Sequence, residues 1–237
     1  MTVPQMILFD NGSTLTCEPD IDPLRAMRAV MPHITKNPMG LSAEELVSAE
    51  REVFREIRPV REAGFEMHEW MLARLIYGRL GIEFDVDMTE FERIFWTGLS
   101  AGEITPHADE LLDHLNGKGI RTGVISNIIF SGSALRERLD RLLPNNRFEF
   151  VIASSDYAVR KPNRSLFEIA ALKAGLPPNE IWYCGNSVRK DVIGAHSAGM
   201  IPVLYEGARG KDEKPDAEAD FSYLHISDWR EMIELLP

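Results

Sequence analysis

Asp10 closes the apolar run Met6-Ile7-Leu8-Phe9 and opens a Gly12-Ser13 turn. Four apolar residues are too few for a lone helix and read as a buried strand. A carboxylate at the end of such a strand costs free energy unless it is paired, coordinated or reactive. Asp10 is therefore a candidate covalent nucleophile or metal ligand, although taken alone it is equally an Asx turn. Three further polar strand ends change that balance. Ser126-Asn127 follows Ile120–Ile125, Arg160-Lys161-Pro162 follows Phe148–Ala153, and Asn186 with Asp191 follows Ile181–Cys184. In a parallel sheet these ends share the edge where ligands sit. A carboxylate nucleophile, a hydroxyl, a lysine and a second carboxylate suit phosphoryl transfer, in which the protein positions the group and neutralises its oxygens. Singly, Ser126 is a turn, Lys161 a solvated cation and Asp191 an acid at a helix start. At successive strand ends, those bland readings become jointly improbable.

The elements that must position these residues alternate. After residue 100, strands Ile120–Ile125, Phe148–Ala153, Ile181–Cys184 and Ile201–Tyr205 interleave with helices, the first opened by Thr105 as N-cap with Pro106. Another helix is expected over Arg164–Ala174, and Phe221–Ile226 as an edge strand before a terminal helix. Alternation of this kind implies parallel pairing with right-handed crossovers, a doubly wound α/β sheet. The segment 16–100 reads as a smaller all-helical unit without strands. Its helices are expected over Asp22–Met31, from the Ser42/Glu45 capping box to a break at Pro59, over Phe65–Leu80 with Gly81 as stop, and from Thr89. The domain division is thus 1–15 and 101–237 for the α/β core and 16–100 for the helical insert. A charged loop over Gly207–Ala219 reads as solvated surface.

Composition bounds the function. The 237 residues carry a net charge of -11, which opposes nucleic-acid and acidic-membrane partners. No apolar run approaches the ~18 residues of a membrane span, and no secretory leader is visible at the start. Cys17 and Cys184 form no disulfide framework, so a reducing cytoplasm is the expected setting. The partner expected is a small anionic molecule, and the chain is expected to be a monomer or homodimer. None of the six histidines stands in a metal-ligand pattern.

The chain resembles the haloacid dehalogenase (HAD) superfamily over most of its length. The resemblance rests on Asp10-Asn11-Gly12-Ser13-Thr14-Leu15, Ser126-Asn127, Val159-Arg160-Lys161-Pro162 with Phe167, and Gly185-Asn186-Ser187 through Asp191 with Gly194-Ala195 and Ala198-Gly199-Met200. It implies a Rossmann-like core, and the insert looks like that family's C1 cap, which closes over the cleft and selects substrate. It makes Asp10 the nucleophile that forms an aspartyl ester, with Thr14 holding its loop. Ser126, Asn127 and Lys161 would bind the transferred group, Lys161 also screening Asp10. Asp10, the Gly12 carbonyl, Asn186 and Asp191 would lie at the magnesium position.

Two departures stand beside these matches. Phosphatase members carry a second aspartate, the general acid, where this chain has Gly12, and such help is worth ~10²–10⁴-fold. They place an acidic magnesium ligand where this chain has Asn186, a neutral and weaker donor. The metal-free 2-haloacid dehalogenases share the asparagine and lack the second aspartate. They differ in having tyrosines at the positions of Gly12 and Phe167 and an arginine at the cap start, where this chain has none between Arg28 and Arg51. Phosphonoacetaldehyde hydrolases have a small residue at the Gly12 position and use a cap lysine, for which Lys36 is the one candidate. Three readings follow: a hydrolase of a small phosphorylated metabolite, favouring good leaving groups such as acyl phosphates; a metal-independent dehalogenase-like hydrolase; and a phosphate-binding regulatory protein.

Overall fold

A computed structural model describes residues 3–208 and 215–236. In chain order the elements begin with β1 (Met6–Phe9), β2 (Thr16–Cys17), α1 (Pro23–Val30), β3 (Ile34–Lys36), α2 (Ala43–Glu62), α3 (Glu69–Leu80), β4 (Glu83–Phe84), α4 (Met88–Leu99) and β5 (Glu103–Ile104). They continue with α5 (Ala108–Lys118), β6 (Arg121–Ser126), α6 (Gly132–Leu142), β7 (Phe148–Ala153), α7 (Ser154–Tyr157) and α8 (Arg164–Ala174). Last come β8 (Ile181–Gly185), a π-helical turn (Val188–Val192) running into α9 (Ile193–Ser197), β9 (Ile201–Tyr205), β10 (Leu224–Ile226) and α10 (Trp229–Leu235).

Six strands form one parallel sheet in the order β10-β9-β8-β1-β6-β7. All four residues of β1 are fully buried, which is why its sequence is a continuous apolar run rather than an alternation. Ile7 and Phe9 face one helical layer, Met6 and Leu8 the other. The chain leaves β1 for β6 and β7 on one side, then returns to β8 on the other. β1 is thus the point where strand order reverses, and a crevice opens beyond its carboxyl end. The α/β, doubly wound reading of the core holds.

The insert is helical, with one addition. A short antiparallel ribbon, β3 with β4, lies within it, where no strand was expected. A second ribbon, β2 with β5, ties together the two points where the chain enters and leaves the insert. Both are only two or three residues long, too short to leave a periodic signal. Pro59 does not end α2, which runs to Glu62. Proline should clash with the carbonyl four residues back. Here the turn beyond it is tied down by Ala63 N–H donating to the Pro59 carbonyl at 3.0 Å and by the Arg58–Glu62 pair at 3.0 Å. α3 starts at Glu69 with His68 as its cap rather than at Phe65, and Gly81 stops it at φ 66°. α5 begins at Ala108, so Thr105 is no N-cap; its hydroxyl donates to the Thr14 carbonyl at 2.6 Å instead. The last strand is shorter than expected, Leu224–Ile226. Of the loop over Gly207–Ala219, residues 209–214 lie outside the described residues. Among the described residues, no helix is long and apolar enough to cross a membrane.

Glu69 is buried in the helical insert, and its Oε2 has no hydrogen-bond partner. Burial, with Glu50 and Glu92 nearby, raises its pKa from an ordinary 4.5 to about 8; burial likewise raises Glu50 to about 7. Between pH 4.5 and 8 the folded chain therefore holds protons that the unfolded chain has lost, so stability falls as pH rises through that window. Ionising Glu69 in place costs on the order of a few kcal/mol. Glu69→Gln removes its share of this slope. Thermal unfolding by circular dichroism should show the wild-type melting temperature falling by roughly 5–10 °C from pH 5.5 to 8.5, and clearly less in the variant. Parallel slopes for the two proteins would refute this account.

Candidate active site

Asp10 is the first residue past β1, pinned to the neighbouring strand by its N–H donating to the Cys184 carbonyl at 2.8 Å. The loop that follows folds around Asn11. The N–H groups of Thr14, Leu15 and Thr16 all donate to its carbonyl at 2.9–3.2 Å, and the Thr16 hydroxyl donates to its Oδ1 at 2.9 Å. Ser13 takes the left-handed conformation (φ 58°) that closes this turn. Gly12 does not; a Cβ built on it would meet nothing within 4 Å. The glycine is thus not demanded by the backbone. Thr14 donates to Asp10 Oδ2 at 3.4 Å, a long bond that leaves this oxygen largely available.

Lys161 is buried beneath Asp10, and its ammonium joins three acceptors. Asp10 Oδ1 and Asp191 Oδ1 are each at 2.7 Å, and the Tyr183 hydroxyl is at 2.6 Å. An ammonium has three protons, so all are spent. In this arrangement Lys161 orients and screens Asp10; to bind the transferred group directly, as expected from the sequence, it must release one partner. Asp191, at the end of the π-helical turn, uses its other oxygen to accept the Ser187 N–H at 3.0 Å. Burial works against the Lys161 ammonium, but Asp10 and Asp191 more than offset it, and its pKa is raised. Burial also pushes the Asp10 carboxyl up; Lys161 pulls against this and Asp191 reinforces it. Two carboxylates share one ammonium, so the pocket floor retains negative charge.

The remaining expected residues are placed as follows. Ser126, at the end of β6, lines the same cleft of about 410 Å³ as Asp10, Gly12, Lys161, Asn186 and Asp191. Its hydroxyl makes no hydrogen bond among the described residues, which leaves it for a ligand. Asn127, expected at the substrate, also lines this cleft, and its side chain is engaged within the protein. Its amide spends both ends on one residue, Nδ2 donating to the Lys161 carbonyl at 3.0 Å and Oδ1 accepting the Lys161 N–H at 2.7 Å. It is a positioning residue for Lys161. Lys36 is not among the residues lining the cleft; it pairs with Glu83 at 2.6 Å on the exposed β3–β4 ribbon. His107 and His114 bond Asp228 and the Leu236 carbonyl, away from the cleft. Cys184 is a core residue whose thiol pKa burial pushes up.

Tyr183 is the functional residue that sequence reasoning missed. It sits opposite Leu8 in the β8–β1 register, one alternation short of the reactive edge. Its hydroxyl reaches Lys161, the Ile125 carbonyl at 3.0 Å and Asp191 at 3.3 Å. Burial, with the two carboxylates, holds its pKa well above the ordinary phenol value. A phenol in an otherwise apolar strand was the one available signal.

The helical insert contributes Glu18, Ile21, Trp96 and Leu99 to the lining of this cleft. It is joined to the sheet-bearing part through Glu66, whose carboxylate is fully buried. Glu66 accepts from Arg61 of the insert at 2.9 Å, from Ser154 just past the end of β7 at 3.0 Å, and from Arg160. Backbone bonds from Glu66 N–H to the Ala158 carbonyl and from Arg160 N–H to the Gly64 carbonyl run alongside.

Three comparisons bear on this geometry. The family described as haloacid dehalogenase-like hydrolase matches the chain over residues 4–199. Glyceraldehyde 3-phosphate phosphatase of Methanopyrus kandleri is 27% identical over 200 residues, covering 83% of this chain and 81% of that one. Among solved structures, a 2-haloacid dehalogenase from Pseudomonas syringae pv. Tomato DC3000 aligns with a TM-score of 0.66 at 19% identity, over 99% of this chain and 98% of that one. A HAD phosphatase from Thermococcus onnurineus aligns at 0.63 and 20%, over 98% and 97%. At such identities the two structures speak for the fold alone, and they fit it about equally.

Proposed function

Because the chain belongs to the haloacid dehalogenase-like hydrolase family, we propose that it is a phosphohydrolase of a small phosphorylated metabolite, working through an aspartyl ester on Asp10. The observation that carries this reading is the Asp10 carboxylate, screened through Oδ1 by Lys161 and left nearly free at Oδ2, on the floor of a cap-covered cleft. Oδ2 attacks phosphorus, the phosphorus–oxygen bond to the leaving group breaks, and the aspartyl phosphate forms. Water then attacks that phosphorus, the bond to Asp10 breaks, and phosphate leaves. Ser126 is free to donate to an oxygen of the transferred group, and Lys161 limits the build-up of charge next to Asp10. With glycine at position 12 no side chain protonates the leaving group there, so groups that leave as stable anions, acyl phosphates first, are favoured. The named activity of the Methanopyrus relative supports a small phosphorylated substrate.

The donor set fits a divalent cation. Asp10 Oδ2 has spare capacity, and the pair of carboxylates exceeds the one ammonium in charge. Asp10, Asp191, the Asn186 amide and the Gly12 carbonyl would hold magnesium, which when bound supplies positive charge against the phosphoryl oxygens. Among the described residues, no third acidic, histidine or cysteine side chain joins the two carboxylates. Asn186→Asp would add one, and titration calorimetry should show roughly tenfold or tighter magnesium binding. Equal affinities in the two proteins would remove Asn186 from the site. The reading itself is tested by a hydrolysis screen of phosphomonoesters, acyl phosphates and 2-haloacids, each with magnesium and with chelator. Phosphate release, fastest from acyl phosphates, is expected. Chelator-resistant halide release would instead select the dehalogenase-like reading, and inertness on all three classes the regulatory one.

A further inference from the structure

Beside the catalytic cleft, between cap helix α2 and the core, lies an open basin of about 820 Å³. Its walls concentrate positive charge in a chain whose net charge is -11. From the cap come Arg55, Arg58 and Arg61; their spacing of three keeps them on one side of α2. Facing them are Arg160, next to Lys161, and Arg189 and Lys190 in the π-helical turn that carries Asp191. The one acidic residue in the lining is Glu62.

Ion pairing leaves much of this charge uncompensated. Arg61 and Arg160 share a single carboxylate, that of Glu66. Arg55 meets Glu52 at 3.9 Å and Arg58 meets Glu62 at 3.0 Å, both in solvent, where such pairs contribute little. The side chains of Arg189 and Lys190 have no ion pair among the described residues. The basin also adjoins the chemistry, since Arg160, Lys161 and Lys190 line both it and the Asp10 cleft.

We infer that this basin receives a second anionic group, carboxylate or phosphate, of the same molecule whose phosphoryl group faces Asp10. The inference rests on the phosphohydrolase reading and narrows its substrate to a small metabolite charged at two places. Glu66 already bridges Arg61 and Arg160 across the boundary, and the remaining cations on the two walls favour a further anion between them. Guanidinium forks match the oxygens of carboxylates and phosphates, and a cleft lined by one sign of charge focuses the field on its ligand. An anion touching both α2 and the Arg189–Lys190 turn also links the cap to the core over the bound substrate.

The test uses Asp10→Asn protein, in which turnover does not obscure binding. Calorimetry compares fructose 1,6-bisphosphate with fructose 6-phosphate, and 3-phosphoglycerate with glycerol 3-phosphate. In at least one pair the doubly anionic ligand should bind roughly tenfold tighter or more, the worth of one charge-assisted hydrogen bond. That ratio should fall towards one when Arg58→Ala and Arg189→Ala are added. Both side chains are exposed, and circular dichroism verifies that the fold survives. Equal affinities in both pairs, or a ratio unmoved by the two substitutions, overturn the inference. Hydrolysis by the wild-type protein is scored separately. A preserved binding ratio with neither phosphomonoesters nor acyl phosphates hydrolysed refutes the phosphohydrolase reading alone, whereas hydrolysis without any binding ratio refutes the basin alone.

Discussion

Asp10→Asn should lower turnover on any accepted substrate by at least ~10⁴-fold, the scale of removing a covalent nucleophile, while leaving the protein folded. The amide keeps the shape of the carboxylate and one acceptor for Lys161, whose second acidic partner, Asp191, remains at 2.7 Å. Stability should hold or rise. Burial, reinforced by Asp191, disfavours the ionised Asp10 carboxyl by more than Lys161 offsets, and a neutral side chain escapes this net penalty. The same upward shift bears on pH dependence. Activity requires ionised Asp10, so it is lost on acidification at a higher pH than an ordinary aspartate would dictate. Steady-state rates across pH, with melting curves for both proteins, check these points. If the variant keeps more than a few per cent of the wild-type rate, Asp10 is not the nucleophile.

Gly12→Asp should raise hydrolysis of alkyl phosphomonoesters by ~10²–10⁴-fold, the range for general acid–base catalysis. Acyl and aryl phosphates should gain little. An alkoxide needs a proton as it departs; a carboxylate or phenolate departs readily without one. The backbone permits the change, because Gly12 does not use the left-handed region and its Cβ direction is open. Repulsion from nearby Asp10 should raise the pKa of the introduced carboxyl, which suits an acid working near neutrality. The measurement is kcat/KM for a series of phosphates ordered by leaving-group pKa. A flatter dependence in the variant is the expected signature. A uniform gain across the series, or no gain in a folded protein, would show that the missing acid is not lost at this position.

The sequence by itself determined the sheet and its reactive edge. Continuous apolar runs ending in polar residues are local signals, and parallel strands buried on both faces leave no alternative home for them. Asp10, Ser126, Lys161 and Asp191 were legible because each follows such a run, and topology then brings them to one edge. Helices of the insert were legible too, through spacings such as the Ser42/Glu45 box. Only the tertiary structure decided what these residues do to one another. Tyr183 reads as core until the β1–β8 register sets its hydroxyl under Lys161. Asn127 is expected at the substrate, and only the fold shows its amide clamped on the Lys161 backbone. Nothing in the sequence assigns the arginines of α2 a role; packing of the insert, held by the buried Glu66, sets them beside Arg160 and the Arg189–Lys190 turn. In each case the deciding contact joins residues far apart in the chain. Periodicity and propensity report a residue's own neighbours, whereas burial and electrostatics depend on what the fold brings alongside.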